Sequence, residues 1–173
     1  RLAWSAGTGT TGNGSDFCLL RLRNEPPAGL TYVGWTNLVP EIGAPVAIIH
    51  HPQGDYKRIT FGALTDQGNK YSDYFHKALY SAGVTEHGSS GSPLLHGDTQ
   101  QIIGQLWGGL SGCNSLDQTD YYGRFDVSLS VMINQFTNWL EPSGSNNAPT
   151  DIILVPAGVT ENQPAGSVVG LLT

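Results

Sequence analysis

Ser90 stands in the run Gly88-Ser89-Ser90-Gly91-Ser92-Pro93, with a glycine two residues before it and another immediately after. A serine nucleophile for acyl transfer needs a tight turn that lifts its hydroxyl into a cleft, backbone N–H groups converging where an oxyanion forms, and a general base in reach. The glycines permit the turn and a close substrate approach. The N–H groups of Gly88 and Ser90 are then the natural oxyanion donors. The same run also suits an ordinary Ser/Gly loop ahead of a strand, and a motif this short does not decide between them. The chain has five histidines that could serve as a base: His50, His51, His76, His87 and His96. His87 is close to Ser90 in sequence, but its turn is committed to the oxyanion geometry, so its side chain is not expected to reach the Ser90 Oγ. His50 and His51 precede Pro52 at a strand end, where neighbours point to opposite faces and chelate one metal poorly. His76 and His96 read as surface loop residues.

The elements that must position these groups are short. The chain has 173 residues, with 23 Gly and 10 Pro and only 13% charged residues, a composition of many strands and turns rather than long helices. Residues 1–15 read as a loop ending in the turn Asn13-Gly14-Ser15. Strands are expected over Asp16–Leu22, Tyr32–Trp35, Ala44–His50, Arg58–Leu64, Gln101–Trp107 and Gly123–Leu129. From Ser130, as N-cap, the apolar positions Val131, Met132, Ile133, Phe136, Trp139 and Leu140 follow a helical stripe that stops before Pro142. Residues 142–150 form a polar linker. Beyond it, Asp151–Val155 and Ser167–Leu172 read as two further strands, too few for a stable domain. The fold class is therefore all-β with a C-terminal helix, followed by an incomplete second unit.

The net charge is −6 with eight Lys and Arg, none clustered, which argues against a nucleic-acid or anionic-membrane surface. No apolar run is long enough to span a membrane. Cys18, in an apolar run, reads as a buried free thiol. Cys113, in a Gly/Ser-rich loop, reads as exposed, with a partner outside the chain. The opening Arg1-Leu2-Ala3-Trp4 carries no initiator Met or leader, and the chain is expected to be part of a longer one.

The nucleophile run resembles that of trypsin-like peptidases. Its longer form, Gly83-Val84-Thr85-Glu86-His87 continuing to Pro93, resembles bacterial lysyl endopeptidases specifically. Ser15-Asp16-Phe17-Cys18-Leu19-Leu20-Arg21-Leu22, Ala47-Ile48-Ile49-His50-His51-Pro52 with Lys57-Arg58-Ile59, Gly104-Gln105-Leu106-Trp107-Gly108-Gly109 and Asp120-Tyr121-Tyr122-Gly123-Arg124 follow in that family's order, so the resemblance covers about residues 14–141. It implies a chymotrypsin-like double β-barrel, represented by the end of the first barrel, the second barrel and the C-terminal helix. It implies Ser90 as nucleophile and Asp16 as the carboxylate that orients the base. No histidine precedes Asp16, so the base is expected upstream of Arg1 and the 173 residues alone are expected to be inactive. Many trypsin-like enzymes carry their acidic pocket residue six positions before the nucleophile, where this chain has Val84. The resemblance implies Asp120 as the pocket acid instead. Leu106, Trp107 and Gly108 become the edge on which a peptide lies. Trp107 stands where the lysine-specific members carry His, so Lys or Lys/Arg preference is the expectation.

The C-terminal stretch Val159-Thr160-Glu161-Asn162-Gln163-Pro164-Ala165-Gly166 resembles the opening of a cadherin-like repeat, a partial β-sandwich. The expected division is 1–141 peptidase, 142–150 linker and 151–173 truncated repeat. In a complete repeat Glu161 would ligate Ca²⁺, which needs six to eight oxygens and cannot be held by one residue. Catalysis implies no cofactor. Two functions follow: a secreted or cell-surface endopeptidase acting on proteins or peptides, or a Ca²⁺-dependent adhesion protein with a vestigial peptidase-like domain and cell-surface partners. Joint retention of Asp16, Gly88, Ser90 and Asp120 favours the first.

Overall fold

The computed structural model describes residues 2–5, 14–66, 71, 73–131, 140, 154–155 and 171–172. The chain divides into two compact units, Arg1–Leu140 and Glu141–Thr173.

In the first unit, β1 (Ala3–Ser5) pairs antiparallel with β2 (Phe17–Leu19). Six further strands, β3 (Pro45–His50), β4 (Arg58–Thr65), β5 (Phe75–Ala82), β6 (Pro93–His96), β7 (Ile102–Gly109) and β8 (Thr119–Arg124), close a barrel in the order β3-β4-β5-β8-β7-β6. Strand periodicity explains the interior. Along β3, Val46, Ile48 and His50 are buried while Ile49 faces out, because successive side chains alternate. Val46, Ile48, Leu64, Ala78, Tyr80, Leu94, Ile103, Leu106 and Tyr122 form the barrel core. A satellite cluster of Ala3, Phe17 and Leu129, flanked by Trp35 and Phe125, joins β1 and β2 to helix α1 (Phe125–Val131). No helix among the described residues is long and apolar enough to cross a membrane.

Several expectations are corrected. Residues 1–15 contain β1 rather than loop alone, and the strand after Asp16 is limited to Phe17–Leu19. Within β2 Cys18 points outward, opposite buried Phe17, so the thiol is exposed. Tyr32–Trp35 is not a strand. Both edges of the barrel are already paired, and this segment contributes only a parallel bridge from Trp35 to Ile102 while Tyr32 and Val33 stay exposed. The strand expected at Gly123–Leu129 lies earlier, at β8, and helix α1 begins at Phe125 rather than after Ser130. Phe125, Ser128 and Leu129 share one face at helical spacing, and Asp126 occupies the first turn. Ser130 is therefore inside the helix, and its hydroxyl donates to the Val127 carbonyl at 2.9 Å. Strands β5 and β6 had no alternating pattern to reveal them. Most of the expected stripe over 130–140 lies outside the described residues.

In the second unit β9 (Leu154–Val155) pairs antiparallel with β10 (Leu171–Leu172). Glu161 lies outside the described residues.

Candidate active site

Beyond β5 the chain makes a turn built on glycines with positive φ: Gly83 at 78°, Gly88 at 95° and Gly91 at 77°. Ser89 is buried at 1% exposure, while its neighbour Ser90 faces solvent. The turn is fastened from several sides. Gln53 N–H donates to the His87 carbonyl at 2.5 Å, and Ser89 N–H to that of Glu86 at 3.0 Å. Gly91 N–H bonds the Leu106 carbonyl at 2.8 Å, and Leu106 N–H returns a bond to Ser92 at 2.9 Å. A Cβ on Gly88 would lie 2.9 Å from the His51 carbonyl oxygen, so the packing and the backbone angle both require glycine here. Among the described residues the N–H groups of Gly88 and Ser90 have no acceptor.

Asp16 has φ of 52°, a left-handed conformation that Asp tolerates better than most residues. Its carbonyl and that of Ser15 are held by Gln105, whose amide donates to Ser15 O at 2.7 Å and to Asp16 O at 3.4 Å. The Ser15 and Ser128 hydroxyls lie 2.6 Å apart. Gly123 packs so closely on the Ser15 carbonyl that no side chain fits there. Asp16 and Ser90 consequently line one cavity of about 450 Å³, with Gln105, Leu106 and Phe125 in its walls. That is ample room for an imidazole between them.

Ser90 and Leu106 also border a second cavity, of about 330 Å³, which contains Asp120. The Asp120 carboxylate is 1% exposed. It accepts hydrogen bonds from the Tyr80 hydroxyl at 2.7 Å, the Ser111 hydroxyl at 2.7 Å, the Ser111 N–H at 3.2 Å and the Thr85 hydroxyl. Every one of these donors is neutral. Burial first, and with it the nearby Asp120, holds the Tyr80 and Tyr122 phenols well above the ordinary tyrosine range; Tyr122 raises Tyr80 further, while the bond to Tyr80 opposes the shift at Tyr122, and both stay protonated. The result is a buried acid with hydrogen bonds but, among the described residues, no cation. Gly109 lies hard against Asp120 and admits no side chain.

The rim of this cavity is the end of β7. Strand β6 pairs only as far as Gln105, so Trp107, Gly108 and Gly109 are flanked by β8 alone, and the β8 register skips Trp107. This exposes a short stretch of strand edge beside Ser90. Trp107 is 36% exposed and packs against Phe75, Tyr71 and Tyr121, with ring centroids 5.2, 5.6 and 6.3 Å away.

The histidines divide differently from expectation. His87 is exposed on the rim of the Asp120 cavity, and His51 is exposed with Nδ1 3.0 Å from the Asp55 carbonyl. His96 is the half-buried last residue of β6 rather than a loop residue. His76 is likewise not at the surface. It lies in β5 opposite Tyr122, and burial, aided by the Arg124 charge and opposed by Asp126, lowers its pKa to about 4. His50 is also buried, with Nδ1 2.8 Å from the Ser89 Oγ, beneath the turn that carries Ser90. Neither this bond nor the roles of Gln105, Thr85 and Ser111 could be read from local sequence. For His50, Ser89, Gln105 and Thr85 the only signal was their place within the runs that carry the family resemblance, and Ser111 lies outside those runs. Among the described residues no cluster of His, Cys, Asp and Glu is arranged to hold a metal ion, and Cys18 and Cys113 are both free and exposed.

Residues 3–123 match the family described as lysyl endopeptidase, C-terminal domain. The lysyl endopeptidase of Pseudomonas aeruginosa is 37% identical over 130 residues, which cover 70% of this chain and 28% of that protein. The chain thus spans well under a third of the length of this relative. In fold, it is similar to a variant of human heparin binding protein, with TM-score 0.51 and 16% identity over 72% of this chain and 56% of the other. The closed six-stranded barrel with its following helix is the second half of a chymotrypsin-like fold. A family match over most of the barrel, joined to more than a third identity with a lysyl endopeptidase, makes this chain a member of the lysyl endopeptidase C-terminal domain family.

Proposed function

We propose that the full-length protein is a serine endopeptidase that cleaves peptide bonds after Lys, or after Lys and Arg. The observation that carries the reading is the position of Ser90 where two cavities meet, one shared with Asp16 and the other with the buried Asp120. In this mechanism a histidine contributed from upstream of Arg1 occupies the first cavity, with Asp16 holding its tautomer. It takes the Ser90 proton as Oγ attacks the scissile carbonyl. The N–H groups of Gly88 and Ser90 receive the developing oxyanion. The Leu106–Trp107–Gly108 edge aligns the substrate backbone as an added strand. A basic side chain entering the second cavity gives Asp120 the cation it lacks, whereas a neutral side chain leaves that buried charge unpaired. No cofactor takes part.

Beyond the peptidase unit, residues 151–173 are proposed as the opening of a cadherin-like repeat on a secreted or cell-surface protein. The support is the Glu161-Asn162-Gln163-Pro164-Ala165-Gly166 resemblance. Glu161 would serve as a Ca²⁺ ligand only within a complete repeat, which would also supply any cell-surface partners. The peptidase reading is tested on the full-length protein with a serine-directed acylating inhibitor and a peptide library. Inhibitor labelling at Ser90, cleavage after basic residues, and loss of several orders of magnitude in turnover on Ser90→Ala are expected. An undiminished Ser90→Ala variant would refute Ser90 as the nucleophile, and a full-length protein that hydrolyses nothing would leave only the adhesive role.

A further inference from the structure

Beneath the nucleophile turn, buried polar groups of His50, Ser89 and Thr60 form a closed circuit. The Thr60 hydroxyl donates to the Val84 carbonyl at 3.3 Å. It must therefore accept from the His50 Nε2, which lies 2.9 Å away. With its proton on Nε2, a neutral imidazole leaves Nδ1 bare, and Nδ1 accepts from the Ser89 hydroxyl at 2.8 Å. Ser89 Oγ in turn accepts the Glu86 N–H at 3.4 Å. The chain of bonds leaves the 84–89 segment at Ser89, crosses β3 and β4, and rejoins the segment at Val84. His50, Thr60 and Ser89 are each no more than 2% exposed, so water does not replace any of these bonds.

The segment held in this way carries Gly88 and leads into Ser90. It also supplies Thr85, Glu86 and His87 to the Asp120 cavity. A second proton on His50 reverses the bond at Nδ1. Ser89 would then face an N–H, and its own hydroxyl proton would have no acceptor, which is costly in a buried site.

We propose that neutral His50, protonated at Nε2, is the positioning residue of the nucleophile turn, and that a second proton at Nδ1 releases Ser89 and loosens the oxyanion donors. This rests on the peptidase reading. The inference is that the acid loss of activity then has two sources, the catalytic base and His50. Burial, then the His51 charge just beyond the end of β3, lowers the His50 pKa, and Asp120 on β8 opposes them. Arg58 lies opposite His50 in register on β4, and Glu86 and His87 are the titratable groups of the segment itself. The lowered pKa keeps His50 neutral at ordinary pH, as the circuit requires.

The test uses the full-length enzyme with a Lys-containing peptide substrate. kcat and KM are measured against pH for wild type, His50→Gln, Ser89→Ala and the double variant, and ¹⁵N imidazole NMR reads the His50 tautomer. Each single variant is expected to lose about tenfold to a hundredfold in kcat at neutral pH with KM little changed, the scale of a misplaced catalytic group. In the wild type the acid limb of kcat/KM should steepen beyond a slope of about one over the range in which His50 takes its second proton, and in His50→Gln it should keep a slope of about one throughout. The double variant should be no worse than the worse single variant, because both break one circuit. Superimposable acid limbs, additive losses, or an Nδ1–H tautomer would each overturn the assignment. If His50→Gln does not fold, Ser89→Ala and the tautomer decide. A wild-type protein that hydrolyses nothing and leaves Ser90 unlabelled defeats the peptidase reading instead, while the NMR arm still tests the circuit.

Discussion

Two single-residue substitutions separate catalysis from specificity. Asp120 is buried and, among the described residues, bonded only by neutral donors. Asp120→Asn in the full-length protein should weaken cleavage after basic residues by about 3–5 kcal/mol, the cost of leaving a buried cation unpaired. Cleavage after neutral residues should change much less. A peptide library digested by both forms gives the comparison, and an equal loss on every substrate would point to misfolding rather than a pocket. Gly88→Ala tests the oxyanion donors. With φ at 95° and the His51 carbonyl 2.9 Å from any added Cβ, the turn must shift. A loss of about 10²–10³ in kcat is expected, the scale of removing one oxyanion donor, with KM much less affected. A variant with normal kcat would show that this turn does not serve the oxyanion. At this scale Ser90 and Gly88 stood out in the sequence because their types and neighbours are distinctive, whereas Asp120 was singled out only by the family resemblance. The partners Tyr80, Thr85 and Ser111 did not, since a hydroxyl's role depends on what lies opposite it in space.

Strands β5 and β8 carry the pH dependence of stability. His76 in β5 faces Tyr122 in β8, and burial first, then Arg124, brings its pKa from 6.5 to about 4. The unfolded chain therefore takes up this proton first as pH falls. The contribution of neutral His76 is whole above pH 6.5, declines between 6.5 and about 4, and changes no further below that. Its span is about 3 kcal/mol. Urea unfolding across this range should show the decline in wild type and a flatter curve in His76→Gln, and parallel curves would assign the acid loss to other groups. The elements that local sequence revealed were β4, by its alternation, and β3 and β7, as short apolar runs. Strand β5, with the sequence Phe-His-Lys-Ala-Leu-Tyr-Ser-Ala, has no such alternation, and the tyrosine it buries, Tyr80, is accepted because Asp120 and Tyr122 meet its hydroxyl from β8. The boundary between β8 and α1 was misread for a related reason. A short apolar run does not distinguish strand from helix until its buried face is known.

For the whole molecule, the site is a product of barrel closure. Asp16 from the β1–β2 region, Ser90 from the turn before β6, and Asp120 from β8 meet only because β7 runs between them, bonded to the nucleophile turn and to β8 while Gln105 holds the Asp16 loop. No metal-holding cluster occurs among the described residues of this region. On the proposed reading, in which catalysis uses no cofactor and Ca²⁺ belongs to a complete cadherin-like repeat, chelation of divalent ions in the full-length protein is expected to leave the cleavage rate unchanged while abolishing Ca²⁺ binding measured by calorimetry. A parallel loss of cleavage would tie the peptidase to the repeat. The sequence by itself determined the all-β class, the glycine-framed serine and the order of Asp16, Ser90 and Asp120, because turn residues, strand periodicity and motif chemistry are local properties. Tertiary structure alone decided that Ser90 borders two cavities, that Asp120 is buried with no cation beside it among the described residues, and that His50 lies under the turn that carries Ser90. Those facts depend on strand register and barrel closure, which bring distant residues together through long-range pairing that no single stretch of sequence records.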